Sequence, residues 1–387
     1  MCPCPPKFCS YLMVFQNLSL FNFKNFEELK LDFGEGFNFL VGKNGVGKTN
    51  ILDALHYLSM TKSFINSVDS SNIRFGESGF MIKANALRAD HNFTLLCGTE
   101  PGKKKLLTVN KKEYDKLSEH IGQFPTVIIS PNDNALIYEA SETRRRFFDS
   151  AISQQDHEYL YALLRYTKAL KHRNALLKQF SEQMQVQEEL LEPYNNELII
   201  NGRIIYERRQ SYITDFLRHF SRLYAQLSGG NEEVDIVYKS IWEDDHAEDV
   251  FRKSIKKDLI LQRTSIGIHK DTFDFLIGDK PLKRHGSQGQ QKSFLIALKL
   301  GQFEEWITNQ ESKPVLILDD IFDKLDDSRM QSLLKIVASD SFGQIFVSDA
   351  RPERTRQILK ENNLEGLVIE LEQGKVKSIE EHVSKEA

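Results

Sequence analysis

The sequence predicts an α/β fold in which a mostly parallel sheet is interrupted by a helical insertion. Strand patterns alternate with helical patterns near both ends of the 387-residue chain, which is typical of α/β proteins with a parallel sheet. Between residues 142 and 228, leucines recur at helical intervals instead. We therefore predict a head domain made of residues 13–140 and 264–387, a helical arm inserted at 141–263, and a disordered tail at residues 1–12.

The head begins with strands and one helix. Around Leu18 and Leu29, apolar and polar residues alternate with the period of two that indicates half-buried strands. The apolar run Phe37–Val41 ends at a glycine, and over residues 51–58 the apolar side chains recur at helical spacing. This order predicts a strand, a glycine-rich turn and a helix. Residues 72–130 favour further short strands separated by turns.

Two long helical stretches are predicted for the arm. Leu160, Leu163 and Leu177 belong to the first, and the second runs to a Ser-Gly-Gly-Asn stop at residues 228–231. We expect Pro193 and Gly202 to interrupt the second stretch, because proline and glycine weaken helix interiors.

Strand patterns return after the arm. Phe273 and Phe275 alternate with polar residues, and a helical segment follows. The apolar run Val315–Leu318 predicts a fully buried strand, and residues 345–347 predict another after an intervening helix. These elements complete the predicted head.

The composition is that of a soluble globular protein, with 40% hydrophobic and 27% charged residues. No run approaches the length of about 20 apolar residues that spans a bilayer, and residues 1–15 lack the apolar centre of a signal peptide. We therefore expect a cytoplasmic protein with no membrane partner. The net charge of −4 argues against a uniformly basic nucleic-acid surface but allows a local basic patch. Cys2, Cys4 and Cys9 have no fourth ligand nearby, which favours an unstructured tail over a zinc site.

A phosphate-binding motif carries the first chemical prediction. Gly42-Lys43-Asn44-Gly45-Val46-Gly47-Lys48-Thr49 fits the Walker A pattern G-x-x-x-x-G-K-[ST] at every position. The glycines let backbone N–H groups surround phosphate oxygens at a helix N-terminus. We expect this loop and Asn50 to bind ATP, Lys48 to reach the β- and γ-phosphates, and the Thr49 hydroxyl to bind Mg²⁺.

Two acids follow the buried strand Val315–Leu318. Ligands of open α/β sheets bind at the carboxyl ends of the strands, so Asp319 and Asp320 are placed where a nucleotide would lie. We predict that Asp319 binds Mg²⁺ and that Asp320 orients the attacking water.

The segment Ser287-Gln288-Gly289-Gln290-Gln291 allows two interpretations. Ser287 and Gln290 fit a helix capping box. The segment also resembles the signature of ABC-type ATPases, although Gly286 and Gln288 depart from the usual leucine and glycine. In that arrangement Ser287, Gly289 and Gln290 contact the γ-phosphate of ATP held by another subunit, and Ser287 joins Lys48 and Asp320 as a catalytic residue.

Two shorter features resemble other ABC-type elements. Lys324-Leu325-Asp326 follows the acids at the spacing of the D-loop. Ser348-Asp349 follows the strand at residues 345–347, where ABC proteins carry a switch residue that is usually a histidine. Asp349 departs from that pattern, so the switch role is left open.

Further segments resemble the RecF family, which belongs to the RecF/SMC-like ABC ATPases. The matches extend from residue 18 to about residue 350, and Ser287-Gln288-Gly289-Gln290-Gln291 and the double aspartate agree with the family without change. The other matching segments are Leu20-Phe21-Asn22-Phe23-Lys24-Asn25-Phe26, residues 38–50, Ser130-Pro131-Asn132-Asp133, Arg144-Arg145-Arg146-Phe147-Phe148-Asp149 and Gly267-Ile268-His269-Lys270-Asp271, the last with departures at Ile268 and Lys270.

The resemblance implies an ABC ATPase head with a helical arm, ATP-dependent homodimerisation and DNA binding. It further implies weak, DNA-stimulated ATP hydrolysis and cooperation with RecR and RecO in loading RecA at single-stranded or gapped DNA, in support of replication, repair and the SOS response. Lys48 and Ser287 are 239 residues apart, which is far more than in transporter ATP-binding domains. The insertion has no sustained heptad repeat, so it predicts a compact arm rather than the long coiled coil of SMC proteins.

The residues leave two functions open. One is a nucleotide-driven DNA clamp, and the other is a nucleotide-gated scaffold with little turnover or DNA contact. Candidate DNA contacts, each of which is equally consistent with a solvated charged surface, are Lys103, Lys104, Lys105, Lys111, Lys112, Lys168, Lys171 and Arg173.

Overall fold

The computed structural model of the chain describes residues 11–66, 68–183, 186–230, 232–310, 312–322, 325–339 and 341–383. Cys2, Cys4, Cys9 and Lys324, and with them most of the predicted tail and the start of the predicted D-loop, lie outside these residues. Within them, no helix combines the length and the apolar character needed to cross a bilayer.

The described residues form strands and helices, and we number both in chain order. The strands are β1 Tyr11–Phe23, β2 Phe26–Asp32, β3 Phe37–Val41, β4 Phe80–Arg88, β5 His91–Thr99, β6 Leu106–Val109, β7 Lys112–Glu113, β8 Thr126–Ile129, β9 Val234–Lys239, β10 Thr272–Ile277, β11 Lys280–Pro281, β12 Ser312–Lys313, β13 Val315–Leu318, β14 Ile345–Asp349, β15 Gly366–Glu372 and β16 Lys375–His382. The helices are α1 Lys48–Met60, α2 Ala135–Tyr138, α3 Ser141–Gln155, α4 His157–Gln183, α5 Glu192–Ser228, α6 Ala247–Lys253, α7 Ile255–Leu261, α8 Leu282–His285, α9 Gln288–Asn309, α10 Asp327–Val337 and α11 Pro352–Glu361.

The first of two compact units is formed by the described parts of Met1–Asp133, Gln226–Ser228 and Lys292–Ala387. One of its sheets has the order β16-β15-β3-β14-β13-β8, in which β16 is antiparallel and the other neighbours are parallel. This is the predicted parallel sheet. The second sheet, in the order β12-β1-β4-β5-β6-β7 with β2 paired to β1, is antiparallel except for the β1–β12 pair.

Helix α1 lies in the hydrophobic core of this unit. Ile51, Leu52, Leu55 and Leu58 are fully buried in one apolar cluster that contains side chains of both sheets. Burying each such side chain contributes about 1.5–3 kcal/mol relative to leaving it exposed. Because α1 directly follows the glycine-rich turn, this packing fixes the position of the predicted phosphate loop.

The second compact unit comprises the described parts of Asn134–Ala225 and Gly229–Gln291. It contains α3, α4, most of α5 and the three-stranded sheet β11-β10-β9. Residues 264–291, which we expected in the head, lie in this unit. The alternation around Phe273 correctly predicts strand β10, but that strand pairs with β9 and β11. Strand patterns do not specify a partner, so the head boundary was placed too early.

Helix α5 is continuous from Glu192 to Ser228, contrary to the expected interruptions. Pro193 lies in the first turn, where its missing N–H has no helical acceptor in any case. Gly202 lies inside the helix, and a Cβ there would come within 3.2 Å of the Trp242 indole. This glycine therefore permits close packing.

Two segments that resemble the RecF family meet in the interior of the second unit. The guanidinium of Arg209, which is 1% exposed, lies 2.8 Å from Asp149 and 2.9 Å from Asp271. Arg145 also donates to the backbone carbonyl of Asp271. Asp149 and Asp271 thus belong to a buried ionic network, and loss of one partner from such a network costs about 3–5 kcal/mol.

Candidate nucleotide-binding site

The phosphate loop joins the end of β3 to the start of α1. Gly47 has a φ angle of 110°, and a Cβ at this position would lie 2.4 Å from the ring of Phe26. Only glycine therefore fits this close approach. Gly47 provides no side-chain cap for α1, so the positive end of the helix dipole can face an anion.

The Lys48 side chain folds back over the loop. Its ammonium donates to the carbonyl oxygens of Gly42 at 2.6 Å and Lys43 at 3.1 Å, and the residue is only 7% exposed. The positive charge is therefore held beside the N-terminus of α1, where a phosphate oxygen would be its strongest partner.

Asp319 lies directly after β13 and faces the first turn of α1. Its Oδ1 accepts a hydrogen bond from the Thr49 hydroxyl at 3.0 Å and another from the Ser348 hydroxyl at 2.7 Å. Burial raises the pKa of Asp319, whereas the hydrogen bonds from Ser348 and Thr49 act in the opposite direction. The two neighbouring hydroxyls therefore favour the ionised carboxylate that a cation requires.

The residues predicted to hold Mg²⁺ fit that ion. Mg²⁺ prefers oxygen ligands in an octahedron with bonds of about 2.0–2.1 Å, so adjacent ligand oxygens lie about 3 Å apart. The Thr49 hydroxyl and Asp319 Oδ1 are separated by 3.0 Å. Their side chains could therefore occupy adjacent positions around one magnesium ion.

Asp320 completes this side of the site. Its backbone is in the left-handed region, with φ at 49°, and its N–H donates to the Ser348 hydroxyl at 2.9 Å. Asp320 and Ser348 line a cavity of about 300 Å³ together with Asn44, Gly45, Gly47, Lys48, Thr49 and Asn50. The structure thus places a basic group, two hydroxyls and the Asp320 carboxylate around one cavity at the carboxyl ends of β3, β13 and β14, with the buried Asp319 hydrogen-bonded to both hydroxyls.

Asp349, at the switch position, is hydrogen-bonded to residues at the start of α11. It is fully buried, and its carboxylate accepts hydrogen bonds from the Thr355 hydroxyl at 2.9 Å, Arg354 Nε at 3.0 Å and the Arg351 backbone N–H at 3.2 Å. These contacts hold the start of α11. Ser348, one residue earlier, instead makes a hydrogen bond with each of the two acids, a role that the sequence did not predict.

The signature-like segment forms the capping box at the start of α9. The Ser287 hydroxyl accepts from the Gln290 N–H at 3.2 Å, and Gln290 Oε1 accepts from the Ser287 N–H at 2.6 Å. Ser287 is exposed and, like Gly289 and Gln290, is not among the residues that line the cavity. A capping role is therefore present, and an exposed Ser287 is also compatible with contact to another molecule.

Asn25 is a further residue whose role was missed. Its side-chain NH₂ donates to the Val46 carbonyl at 3.4 Å, and its Oδ1 accepts from the Asn50 amide at 2.6 Å. The neighbouring Lys24 lies 2.5 Å from the buried carboxylate of Asp53 on α1. The segment that contains both residues therefore supports the phosphate loop. The only sequence signal for this segment was its resemblance to the RecF family.

The candidate DNA contacts divide into exposed and buried groups. Arg173 is 1% exposed, is paired with Asp258 at 2.7 Å and donates to Asn195, so its assignment as a DNA contact is wrong. Lys105 is tied to Asp69 at 2.8 Å with an 11% exposed side chain. The remaining candidates, all of which are exposed, are Lys103, Lys104, Lys111, Lys112, Lys168 and Lys171.

Comparisons with known proteins agree with this geometry. The family model described as the RecF/RecN/SMC N terminal domain matches residues 14–374. The DNA replication and repair protein RecF of Cytophaga hutchinsonii is 44% identical over 370 residues, which cover 94% of this chain and 96% of that protein. The chain belongs to the RecF family. RecF of Flavobacterium johnsoniae is 46% identical over 348 residues, covering 90% of this chain and 97% of that protein.

A solved structure of RecF with ATP, described as a recombination mediator protein of the RecFOR pathway, has the same fold. It superposes with a TM-score of 0.84 at 29% identity. The match covers 96% of this chain and 100% of the RecF chain. The predicted fold class, an α/β ABC-type ATPase head with a helical arm, is confirmed.

Proposed function

We propose that this RecF-family chain binds ATP with Mg²⁺ and hydrolyses it slowly to control its own dimerisation on DNA. The observation that carries the proposal is the convergence of Lys48, Thr49 and Asp320 on one cavity at a sheet edge, with Asp319 hydrogen-bonded to Thr49 beside it. The ATP complex of a related RecF supports the choice of nucleotide.

The residues at the nucleotide site would have three roles: phosphate binding, Mg²⁺ binding and orientation of the attacking water. Lys48 would exchange its loop carbonyls for the β- and γ-phosphates, while the first N–H groups of α1 bind phosphate oxygens. Thr49 and Asp319 would hold Mg²⁺, which neutralises phosphate charge when bound. Asp320 would accept a hydrogen bond from the attacking water and orient it towards the γ-phosphorus.

A second copy of the chain completes the site in this proposal. Ser287 is exposed at the N-terminus of α9, a helix of 22 residues, where its hydroxyl and the Gly289 N–H can meet the γ-phosphate bound by a partner. Gln290 supports that turn through the capping box. ADP offers no γ-phosphate, so hydrolysis would remove these contacts and open the dimer.

The biological output is proposed from the relatives. Proteins that are 41–46% identical over most of this chain are named DNA replication and repair protein RecF. We therefore assign the chain to recombinational repair in the cytoplasm, where it would bind single-stranded, gapped or duplex DNA. RecR would be its direct partner, with RecO and RecA engaged through RecR during RecA loading and SOS induction.

Analytical ultracentrifugation tests the proposal. With ATP and Mg²⁺, the sedimentation coefficient of the full chain should rise to that of a dimer, and with ADP it should stay at the value of a monomer. Adding gapped DNA to the ATP-bound dimer should raise the coefficient further. Phosphate release should increase when DNA is added. Tight ATP binding with no dimer, no DNA binding and no DNA-stimulated turnover would favour the alternative, a nucleotide-gated scaffold.

A further inference from the structure

The last two residues of β14 lie beside both halves of the nucleotide site. Ser348 is paired in register with Leu40 of β3, and Asp349 is paired with Val41. On its other side, β14 pairs with β13, which ends one residue before Asp319. This strand order brings the Ser348 hydroxyl, which belongs to a 1% exposed residue, between the two acids.

One hydroxyl contacts both acids in different ways. Ser348 Oγ donates its hydrogen to Asp319 Oδ1 at 2.7 Å and accepts the backbone N–H of Asp320 at 2.9 Å. A serine hydroxyl has one donor and two acceptor sites, so both contacts can exist together. A side chain without a hydroxyl would leave the partly buried Asp320 N–H and the buried Asp319 carboxylate each short of one partner.

The contact with Asp319 fixes a carboxylate that has two donors in this structure. Thr49 and Ser348 both donate to Oδ1. In the proposed nucleotide complex the Thr49 oxygen would also be a ligand of Mg²⁺. Ser348 would then be the donor to Asp319 that takes no part in binding the metal, so its hydroxyl can hold the carboxylate in its orientation.

The contact with Asp320 acts on the backbone. A non-glycine residue in the left-handed region, such as Asp320 with φ at 49°, is uncommon and must be held by its surroundings. Ser348 accepts the N–H of this residue and so stabilises the turn that directs the residue towards the cavity.

We propose that Ser348 is a positioning residue for ATP hydrolysis, because its single hydroxyl orients both the Mg²⁺-binding Asp319 and the water-orienting Asp320. This inference rests on the proposed ATPase function. Ser348 does not touch the reacting atoms in this scheme, so it acts through the two acids. Asp349, which resembles the switch residue by position, serves the start of α11 instead.

Three substitutions at one position test the inference. Ser348→Ala removes the hydroxyl, Ser348→Cys keeps a similar size with a much weaker hydrogen-bonding group, and Ser348→Thr retains the hydroxyl. The measurements are kcat and KM for ATP, the affinity for a fluorescent ATP analogue in EDTA, the Mg²⁺ concentration that half-saturates the effect of Mg²⁺ on analogue binding, and the melting temperature without nucleotide.

We expect kcat to fall about tenfold or more in Ser348→Ala and Ser348→Cys, since misplaced catalytic groups lose rates of this order. The half-saturating Mg²⁺ concentration should rise in both, while analogue affinity in EDTA stays at the wild-type level. Ser348→Thr should restore kcat and the Mg²⁺ requirement.

Wild-type kcat and Mg²⁺ dependence in Ser348→Ala would overturn the inference. A second pattern would also overturn it. If Ser348→Cys behaves as the wild type while Ser348→Ala loses both melting temperature and affinity for the ATP analogue in EDTA, the side chain has a packing role. If the wild-type chain itself fails to bind the analogue, the proposed function is wrong. If it binds but does not hydrolyse ATP, the Mg²⁺ titration of the variants still decides whether Ser348 positions Asp319.

Discussion

Lys48 should contribute far more to ATP binding than Lys43, although both belong to the same loop. Lys48 is 7% exposed and its ammonium is held by two loop carbonyls, whereas Lys43 is exposed. The perturbation is Lys48→Met, which keeps an unbranched apolar stem and removes the charge. The matched control is Lys43→Met.

The expected loss of ATP affinity in each variant follows from the difference in exposure between Lys48, which is buried, and Lys43, which is exposed. A hydrogen bond that involves a charged group is worth about 1.5–3 kcal/mol. Loss of roughly 2–3 kcal/mol from the Lys48–phosphate contact corresponds to ATP binding that is about 30- to 150-fold weaker. An exposed lysine contributes about 0–1 kcal/mol, so Lys43→Met should weaken binding by no more than about fivefold.

Isothermal titration with ATP and Mg²⁺ measures both dissociation constants, and the melting temperature without nucleotide reports whether each variant is folded. Equal losses in the two variants would mean that charge near the loop matters and that the position of Lys48 does not. A Lys48→Met protein that is folded and binds ATP as tightly as the wild type would refute the phosphate-loop assignment.

Four further substitutions test other parts of the molecule. Asp320→Asn should bind ATP, hydrolyse it much more slowly and persist as a dimer in sedimentation, whereas wild-type turnover would contradict its role. Ser287→Arg should bind ATP yet remain monomeric because the arginine blocks the partner's γ-phosphate, and normal dimerisation would refute the composite site. Gly47→Ala should lose about 2–4 kcal/mol of stability in denaturant unfolding and bind ATP poorly, because φ is 110° and the new methyl group would clash with the ring of Phe26. The control is Gly36→Ala, where a Cβ would meet nothing within 4 Å. His120 is fully buried and burial lowers its pKa from 6.5 to about 4, so the unfolded chain binds a proton first and stability should fall as the pH drops below 6.5 towards 4. His120→Gln should reduce that pH dependence of the melting temperature, and an unchanged slope would show that other groups cause it.

Local patterns were sufficient for the elements that bind the nucleotide. The run Phe37–Val41 forms β3 with the predicted bounds, and Val315–Leu318 forms β13. Both strands are buried at every residue and, except for Asn38, are apolar, as expected of central strands in a parallel sheet. The turn between β3 and α1 was equally predictable, since few residues other than glycine adopt its backbone angles.

Patterns of this kind could not identify residues whose function depends on a distant partner. Arg173 has the sequence context of an exposed arm residue, yet it is buried against Asp258, which lies 85 positions later. Residues 264–291 have the strand pattern expected of the head, yet β10 pairs with β9. In each case the predicted helix or strand was correct, whereas the exposure or the strand partner inferred from it was wrong.

The sequence by itself determined the phosphate loop, the buried strand with its two terminal acids, the capping box at Ser287 and the family. These features depend on backbone geometry, side-chain periodicity and chemistry within a few residues, which the order of amino acids specifies directly. Only the tertiary structure decided that Ser348 lies between Asp319 and Asp320, that Asn25 supports the phosphate loop, and that Asp349 is engaged with α11. The physical reason is that such contacts arise from the order and register of strands far apart in the chain, which are set by burial of the whole core and by no single segment.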